Sequence, residues 1–486
     1  MRGLFVKLNL TVFLCGFIVM AFEIIGSRVL APYVGTSTYV WVSIIGVILL
    51  AMSAGYFAGG KWADHKQSIS RIANLVLLAG IFIGLMNVGK NTLLVLTVGL
   101  PLSLLSKSII SSILLFTLPA FYLAAVFPYA LRLRLNDVHD SGRIAGQFYA
   151  ISTVGSLMGT FLSATILIPL FGTSKILWIL SIALVSLGLL LHHKSNKALL
   201  ILAVAIIGLN GWYVNRTTEL IDVDSSYNRI WVYDAISNGE PTRYLAINGH
   251  VNSGIWVNDP IEKQLYPYSD YFRLAMHFNP SFSNTLIMGA GGYTFPKLYQ
   301  HLWPNKQLDI VEIDSKLNEI SQQHFFWSIG ENTNVIHDDA RTYLSATDVH
   351  YDIIISDVFT SPIEVPYHMT TLEVYQRQFD LLNDHGVLIL NVLGNVEGRH
   401  SAFLKSQFKL ASMVFPKVLV FEVSDGYDHV LKNNMLIALK SGVNPSLESS
   451  DSSIQAMLNH KVEVTNWEDA VELTDEYAPA NWLLWN

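Results

Sequence analysis

The sequence predicts two parts of different class: an α-helical polytopic membrane domain over residues 1–216, then an α/β domain that opens with a small β-hairpin region. Three observations predict this. Apolar stretches of about 20 residues, the length that spans roughly 30 Å of hydrocarbon as helix, recur through the first part. Near residue 217 the hydrophobic period changes, and short β-branched runs begin to alternate with helical stretches. The charge divides as well, with 15 Lys and Arg against 4 Asp and Glu in residues 1–216 and 16 against 34 in residues 217–486. A chain of 486 residues that is 51% hydrophobic and 14% charged is neither disordered nor an ordinary soluble protein. The acidic second part argues against a nucleic-acid partner, which needs a basic face; it reads first as an acidic solvated surface and is compatible with a cationic substrate. Cys15 is the only cysteine, so no intrachain disulfide and no cysteine-based metal site can form.

In the first part the apolar runs fall near 8–30, 39–58, 72–89, 108–131, 148–170, 174–192 and 198–214. The run 91–106, interrupted by Gly99 and Pro101, either crosses or only dips into the bilayer, so seven or eight helices are expected. The first run continues through Glu23 and Arg28 into further spans and has no cleavage site of the signal-peptide kind. Arg2, Lys7, Lys61, Lys66 and Arg71 place the N-terminus inside by the positive-inside rule. Arg132, Arg134 and Arg143 fall inside only if 91–106 does not cross, and the second part falls inside only if the total is even. Glu23, at membrane depth, is a functional candidate by default, or else a group paired within the bundle. Arg28 and Asp64, the latter in GGKWADH, read as interfacial. The small residues Ser152, Gly155, Ser156 and Gly159 mark close helix packing.

In the second part, RYLAI and HVNSGIW flank an Asn248–Gly249 turn and read as a hairpin. A helix is expected near 261–278. Strand 285–288, helix 294–303, strand 308–313, helix 315–326, strands 333–337 and 351–357, helix 371–382 and strand 386–392 follow. The expected sheet is mostly parallel and doubly wound, with its ligand at the carboxyl ends of the strands.

The residues after each strand therefore matter most. Gly289–Ala290–Gly291–Gly292 follows the first, where glycines let backbone approach a ligand and leave helix N–H groups for hydrogen bonds. Glu312 ends the second strand, 21 residues beyond Gly291, which suits an acid accepting from both hydroxyls of a ribose. Asp338 and Asp339 follow the third strand and Asp357 the fourth. Three consecutive strand ends bearing acids point to a nucleoside site.

These residues resemble the spermidine synthase (polyamine aminopropyltransferase) family, a branch of the methyltransferase-like Rossmann folds, and specifically its long membrane-fused members. The resemblance runs from 217 to about 440 through INGHVNSG, YPYSDY, LIMGAGG, VEID, HDDAR, YDIIISDVF, PYHMTTLEVY and GVLILNV. It extends into FEIIGSRVLAPYVGTS and GQFYAISTVGSLMGT of the membrane part. It implies a β-hairpin subdomain at 217–260 and an S-adenosyl-nucleoside-binding Rossmann-like domain at 261–486. It further implies that Gly289 and Gly291 shape the donor loop, that Glu312 holds the ribose, that Asp339 and Ala340 receive the adenine, and that Asp357 binds and deprotonates the attacking amine. Tyr268 and Asp270 match the family's substrate-side segment, and Asn252 stands where Gln is usual. Two acids of the family are absent: the Asp that grips the donor's amine is Gly292 here, and the second Asp of D-S-S-D is Thr360.

The expected function is a membrane-embedded transferase that moves an aminopropyl or related alkyl group from an S-adenosylmethionine-type donor to an amine. The donor is S-adenosylmethionine or its decarboxylated form, a co-substrate and not a tightly bound cofactor. The sulfonium supplies the leaving group, so no metal is required. One alternative keeps the donor and moves its methyl group, since Gly292 leaves room for a carboxylate. Another is a non-catalytic transporter or sensor, suggested by Glu23 and by the likeness of GGKWADH to a loop of major-facilitator transporters. The expected partners are a small-molecule amine and the lipid bilayer, with a homo-oligomer compatible, and the expected location is the inner membrane, multi-pass, with the catalytic domain cytoplasmic.

Overall fold

The structure, a computed structural model, describes residues 2–35, 37–135, 141–191, 197–214, 221–358, 365–423 and 431–485. Two compact units divide the chain, Met1–Glu219 with Val223–Arg229 and Leu220–Asp222 with Ile230–Asn486.

The first unit holds helices α1 (Arg2–Val34), α2 (Thr38–His65), α3 (Ile69–Val98), α4 (Leu104–Arg134), α5 (Ser141–Phe171), α6 (Thr173–Leu191) and α7 (Lys197–Val214). The first six are long and apolar enough to cross a bilayer. The run 91–106 makes no helix of its own. Residues 91–98 are the last turns of α3, the chain breaks at Gly99–Pro101, and α4 starts at Leu104, because Pro101 cannot donate to a continuing helix. The expected span at 91–106 is thus not formed, and the run expected to cross at 198–214 lies in α7, which is not among the six helices of spanning length among the described residues. Within α5, residues Ser163–Leu167 are π-helical just before Pro169, whose missing N–H removes one rung of the ladder.

Small residues set the packing. Gly155 and Gly159 of α5 lie against the backbone carbonyls of Phe13 and Phe17 on α1, and Gly16 lies against that of Ser152. Ser156 Oγ donates to the Gly16 carbonyl at 3.2 Å. On the other side, Gly55 and Gly59 of α2 meet the carbonyls of Phe121 and Ala125 on α4. Such contacts let the helix backbones approach closely, as small residues do in the packing of apolar helices. Asp64 and Arg132, both exposed, form a 3.1 Å ion pair between the ends of α2 and α4. Glu23 is half-buried on α1. Of its two readings, pairing within the bundle is the one the structure does not show: it makes no side-chain hydrogen bond or ion pair among the described residues.

The second unit begins with a five-stranded sheet in simple order, β1 (Ile221–Asp224), β2 (Arg229–Ser237), β3 (Glu240–Ile247), β4 (His250–Trp256) and β5 (Asp259–Gln264). The expected hairpin is its β3–β4 pair. Asn248 (φ +50°) and Gly249 (φ +85°) both take the left-handed region that a two-residue hairpin loop demands. The helix expected over 261–278 is instead the end of β5 followed by two short helices, α8 (Pro267–Tyr271) and α9 (Arg273–Phe278). Pairing of Ile255 with Gln264 and Trp256 with Asp259 holds the first residues extended, and Pro267 at the first helical position sets the later start.

An eight-stranded sheet follows, built from β6 (Asn284–Met288), β7 (Gln307–Val311), β8 (Thr333–Ile336), β9 (Tyr351–Ser356), β10 (Leu382–Gly394), β11 (Lys417–Glu422), β12 (Lys432–Leu439) and β13 (Lys461–Val462), in the order β13-β11-β12-β10-β9-β6-β7-β8. Strands β10-β9-β6-β7-β8 are parallel. The remaining three pair antiparallel. Helices α10 (Thr294–Leu302), α11 (Ser315–His324), α12 (Ala340–Ala346), α13 (Leu372–Leu381), α14 (Ala402–Val414), α15 (Ser452–Leu458) and α16 (Ala480–Trp485) complete the unit. Central strands such as β9, with Ile353, Ile354 and Ile355 all buried, read as unbroken apolar runs because helices cover both faces.

Candidate active site

From β6 the chain proceeds to β7 and β8 on one side, and from β9 to β10 on the other. The strand order therefore reverses between β6 and β9, where an α/β sheet opens a crevice at its carboxyl edge. Met288 at the end of β6 stands level with Ser356 at the end of β9. The next residues, Gly289 and Asp357, are joined. Asp357 N–H donates to the Met288 carbonyl at 2.9 Å, and a Cβ on Gly289 (φ +82°) would run into the Asp357 carbonyl oxygen. Only glycine fits this turn.

Glu312, 6% exposed, reaches back under the same loop. Its Oε2 accepts from Ala290 N–H at 2.9 Å and its Oε1 from Asp314 N–H at 3.0 Å, and Gly291 N–H also donates to it. Burial pushes its pKa above the usual carboxylate value, and these N–H groups pull against that rise. Further round the loop, Gly292 N–H donates to Ser253 Oγ at 2.9 Å and Tyr293 N–H to the Ala290 carbonyl at 2.8 Å. Gly289 N–H donates to the Val311 carbonyl at 2.9 Å. The loop N–H groups are thus engaged, where the glycine pattern alone suggests donors facing a ligand. Tyr293 sits at φ +56°, unusual for a bulky residue, with its ring fully buried 4.9 Å from that of Trp327.

Asp357 is the second focus. Asn391 Nδ2, from β10, donates to its Oδ1 at 3.2 Å, and the Tyr268 hydroxyl, from α8, donates to the same carboxylate. Burial pushes the Asp357 pKa up to about 6, against the pull of these two donors. The phenol of Tyr268 is pushed well above its ordinary value, by burial first and by the neighbouring Asp357 charge second. A carboxylate so placed is able to accept a proton, and its raised pKa makes it a stronger base than an ordinary carboxylate.

Asp270 follows Tyr268 on α8; burial raises its pKa and the Arg273 charge opposes the rise. Asp339 caps α12, with Oδ1 accepting from Thr342 N–H at 3.0 Å, and its other oxygen is 3.6 Å from His368 Nε2. Ala340 is the first residue of that helix, and Asp338 Oδ1 accepts from Asp339 N–H at 2.8 Å. Thr360 lies outside the described residues.

Asn252 lies at an irregularity of β4. Leu245 pairs with Ser253 but Ala246 with Val251, so Asn252 is the extra residue of a β-bulge, and its Oδ1 accepts from Ile247 N–H at 3.3 Å. The bulge re-aims the strand and brings Ser253 onto the glycine loop. Ser253, Asn391 and Tyr293 are the residues that sequence reading missed. Asn391 left a signal, a polar group in the otherwise apolar run GVLILNV. Ser253 left none, since strict alternation would turn it away from any site that Asn252 faced.

Residues 270–424 match the family model described as spermine/spermidine synthase domain. A polyamine aminopropyltransferase of Vibrio vulnificus is 26% identical over 307 residues, covering 59% of this chain and 99% of that protein. Another, of Streptococcus uberis, is 29% identical over 213 residues, covering 43% of this chain and 71% of that protein. Among solved structures, a probable spermidine synthase from Corynebacterium glutamicum aligns over 53% of this chain and 97% of its own, at 18% identity and a TM-score of 0.44.

Proposed function

We propose, from the premise that the chain carries a spermine/spermidine synthase domain and is a transferase of that family, that it moves an aminopropyl or related alkyl group from an S-adenosylmethionine-type donor to an amine, as a membrane-embedded protein. The observation that carries this reading is Asp357, a half-buried carboxylate with a raised pKa, held by Asn391 and Tyr268 beside the glycine loop.

In this reading Glu312 accepts from the ribose hydroxyls, and Gly289 and Gly291 let the nucleoside lie close to backbone. The amine enters protonated. Asp357 takes its proton, the freed nitrogen lone pair attacks the carbon next to the sulfonium, and the C–S bond breaks with its electrons returning to sulfur. A neutral thioether leaves. Turnover assayed on the full-length protein with decarboxylated S-adenosylmethionine and a set of diamines should release methylthioadenosine and one alkylated amine. Asp357→Asn should abolish the release while donor binding persists. Retained turnover in that variant would move the base elsewhere, with Asp270 next in line.

A second reading, methyl transfer, is favoured by Gly292, which presents no acid to repel a carboxylate on the donor. It predicts S-adenosylhomocysteine as the product from S-adenosylmethionine, so one chromatogram separates the two.

We place the protein in the inner membrane with its catalytic domain in the cytoplasm, where S-adenosyl donors are made. Six helices of spanning length return the chain to the side of its N-terminus, and with 91–106 not crossing, Arg132, Arg134 and Arg143 fall on that same side as Arg2 and Lys7. A reporter fused after Asn486 should be active only as a cytoplasmic reporter. Activity outside would add α7 to the spanning set and overturn the placement.

A further inference from the structure

The geometry points to Ser253 as a positioning residue of the donor site: from strand β4 of the five-stranded sheet, its hydroxyl holds the glycine loop in the shape that admits an adenosyl ligand. This inference rests on the nucleoside reading given above.

Three observations meet at this side chain. Ser253 is buried, at 6% exposure, and its Oγ accepts Gly292 N–H at 2.9 Å from a strand 39 residues earlier in the chain. It also fills the space beside the loop. A Cβ added at Gly291 would lie 2.9 Å from Ser253 Oγ, and one added at Gly292 would lie 2.8 Å from Ser253 Cβ. Finally, the β-bulge at Asn252 aims it there, and the bulge has its own support in the bond from Ile247 N–H to Asn252 Oδ1. Bulges beside active sites re-aim side chains in this way.

Removing the hydroxyl acts on the ligand site through the loop. Gly292 N–H would become a buried donor without an acceptor, which a protein avoids when it can. The acceptor that already gathers this loop is Glu312, which takes the N–H groups of Ala290, Gly291 and Asp314. A loop relaxing toward Glu312 would compete for the oxygens that the ribose needs. The five-stranded sheet therefore belongs to the donor site, through a residue that touches the loop and acts on the ligand only by way of it.

The test is calorimetric titration of the full-length protein in detergent with methylthioadenosine. Ser253→Ala should bind about tenfold more weakly than wild type, with the ligand-free unfolding midpoint unchanged. Ser253→Thr, which keeps the hydroxyl on a strand-compatible side chain, should return affinity to near the wild-type value. Equal affinity of Ser253→Ala and wild type would overturn the inference, as would equal weakness of the Ala and Thr variants, or a lowered midpoint in Ser253→Ala that accounts for its loss of binding. Failure of wild type itself to bind methylthioadenosine would overturn the nucleoside reading and this inference with it, a result distinct from wild-type binding that Ser253→Ala leaves untouched.

Discussion

Asn391 donates to Asp357 across 3.2 Å from the neighbouring strand of the sheet, so a residue on β10 favours the charged form of the acid that follows β9. Burial alone would drive the carboxyl further toward its neutral form, and each donor to the carboxylate opposes this.

The pH dependence follows in sign. Asp357 serves as base only when ionised, and its pKa is pushed up to about 6, so kcat/KM should climb as pH rises through about 6 and level above it. Asn391→Ala removes one donor to the charged form. Its acid limb should move up by roughly half a unit to one unit, with donor affinity unchanged. An unmoved limb would mean that another group sets the profile.

Glu312 gathers the loop and, in the proposed function, the ribose. Glu312→Ala should weaken S-adenosylmethionine, its decarboxylated form and methylthioadenosine by a similar factor, roughly tenfold to a hundredfold for the loss of charge-assisted hydrogen bonds. Calorimetry measures all three ligands. Wild-type affinity in the variant would remove the nucleoside site from this position.

Donor choice turns on Gly292, but not on Gly292 alone. A side chain there meets Ser253 Cβ at 2.8 Å, so Gly292→Asp by itself should disturb the loop and weaken every adenosyl ligand. Paired with Ser253→Gly, the acid gains room. The double variant should then favour the decarboxylated donor over S-adenosylmethionine by roughly tenfold relative to Ser253→Gly alone, about 1.4 kcal/mol. No change in the ratio would show that another acid, Asp270 or Asp338, already governs the donor's tail.

In the helical first unit, Gly159 and Gly46 make a matched pair. A Cβ on Gly159 would strike the carbonyl of Phe17, whereas one on Gly46 meets nothing within 4 Å. Gly159→Ala should lower the unfolding midpoint in detergent, overpacking of this kind costing about 1–3 kcal/mol. Gly46→Ala should leave the midpoint level or raise it. Equal effects would mean that α1 and α5 do not approach as closely as described.

Much of this was legible beforehand. The five parallel strands announce themselves as apolar runs because both their faces are covered, and the acids announce themselves because each follows such a run. Close helix packing was legible from Gly155 and Gly159, since nothing but small size recommends them. The stretch 261–278 was not, because its strand pairing with β4 is a tertiary fact, and local propensity carries no record of it. The bulge at Asn252 was hidden for a related reason: one extra residue in a strand reverses which neighbour faces the site, and only the partner strand shows where it was inserted. Pairing with other helices is likewise beyond the reach of a single segment, and Glu23 finds no partner among the described residues.

The glycine loop has one more consequence, for the molecules that it turns away. Turns that bind phosphate do so with unspent N–H groups pointing into a concavity. Here the N–H groups of five consecutive residues, 289–293, end on protein acceptors, and one of these is the Glu312 carboxylate. A polyphosphate tail would find no donor in this turn and would face the charges of Glu312 and Asp357. In the proposed function, nucleoside phosphates such as ATP should therefore compete poorly at this turn, which inhibition of methylthioadenosine binding by ATP would contradict.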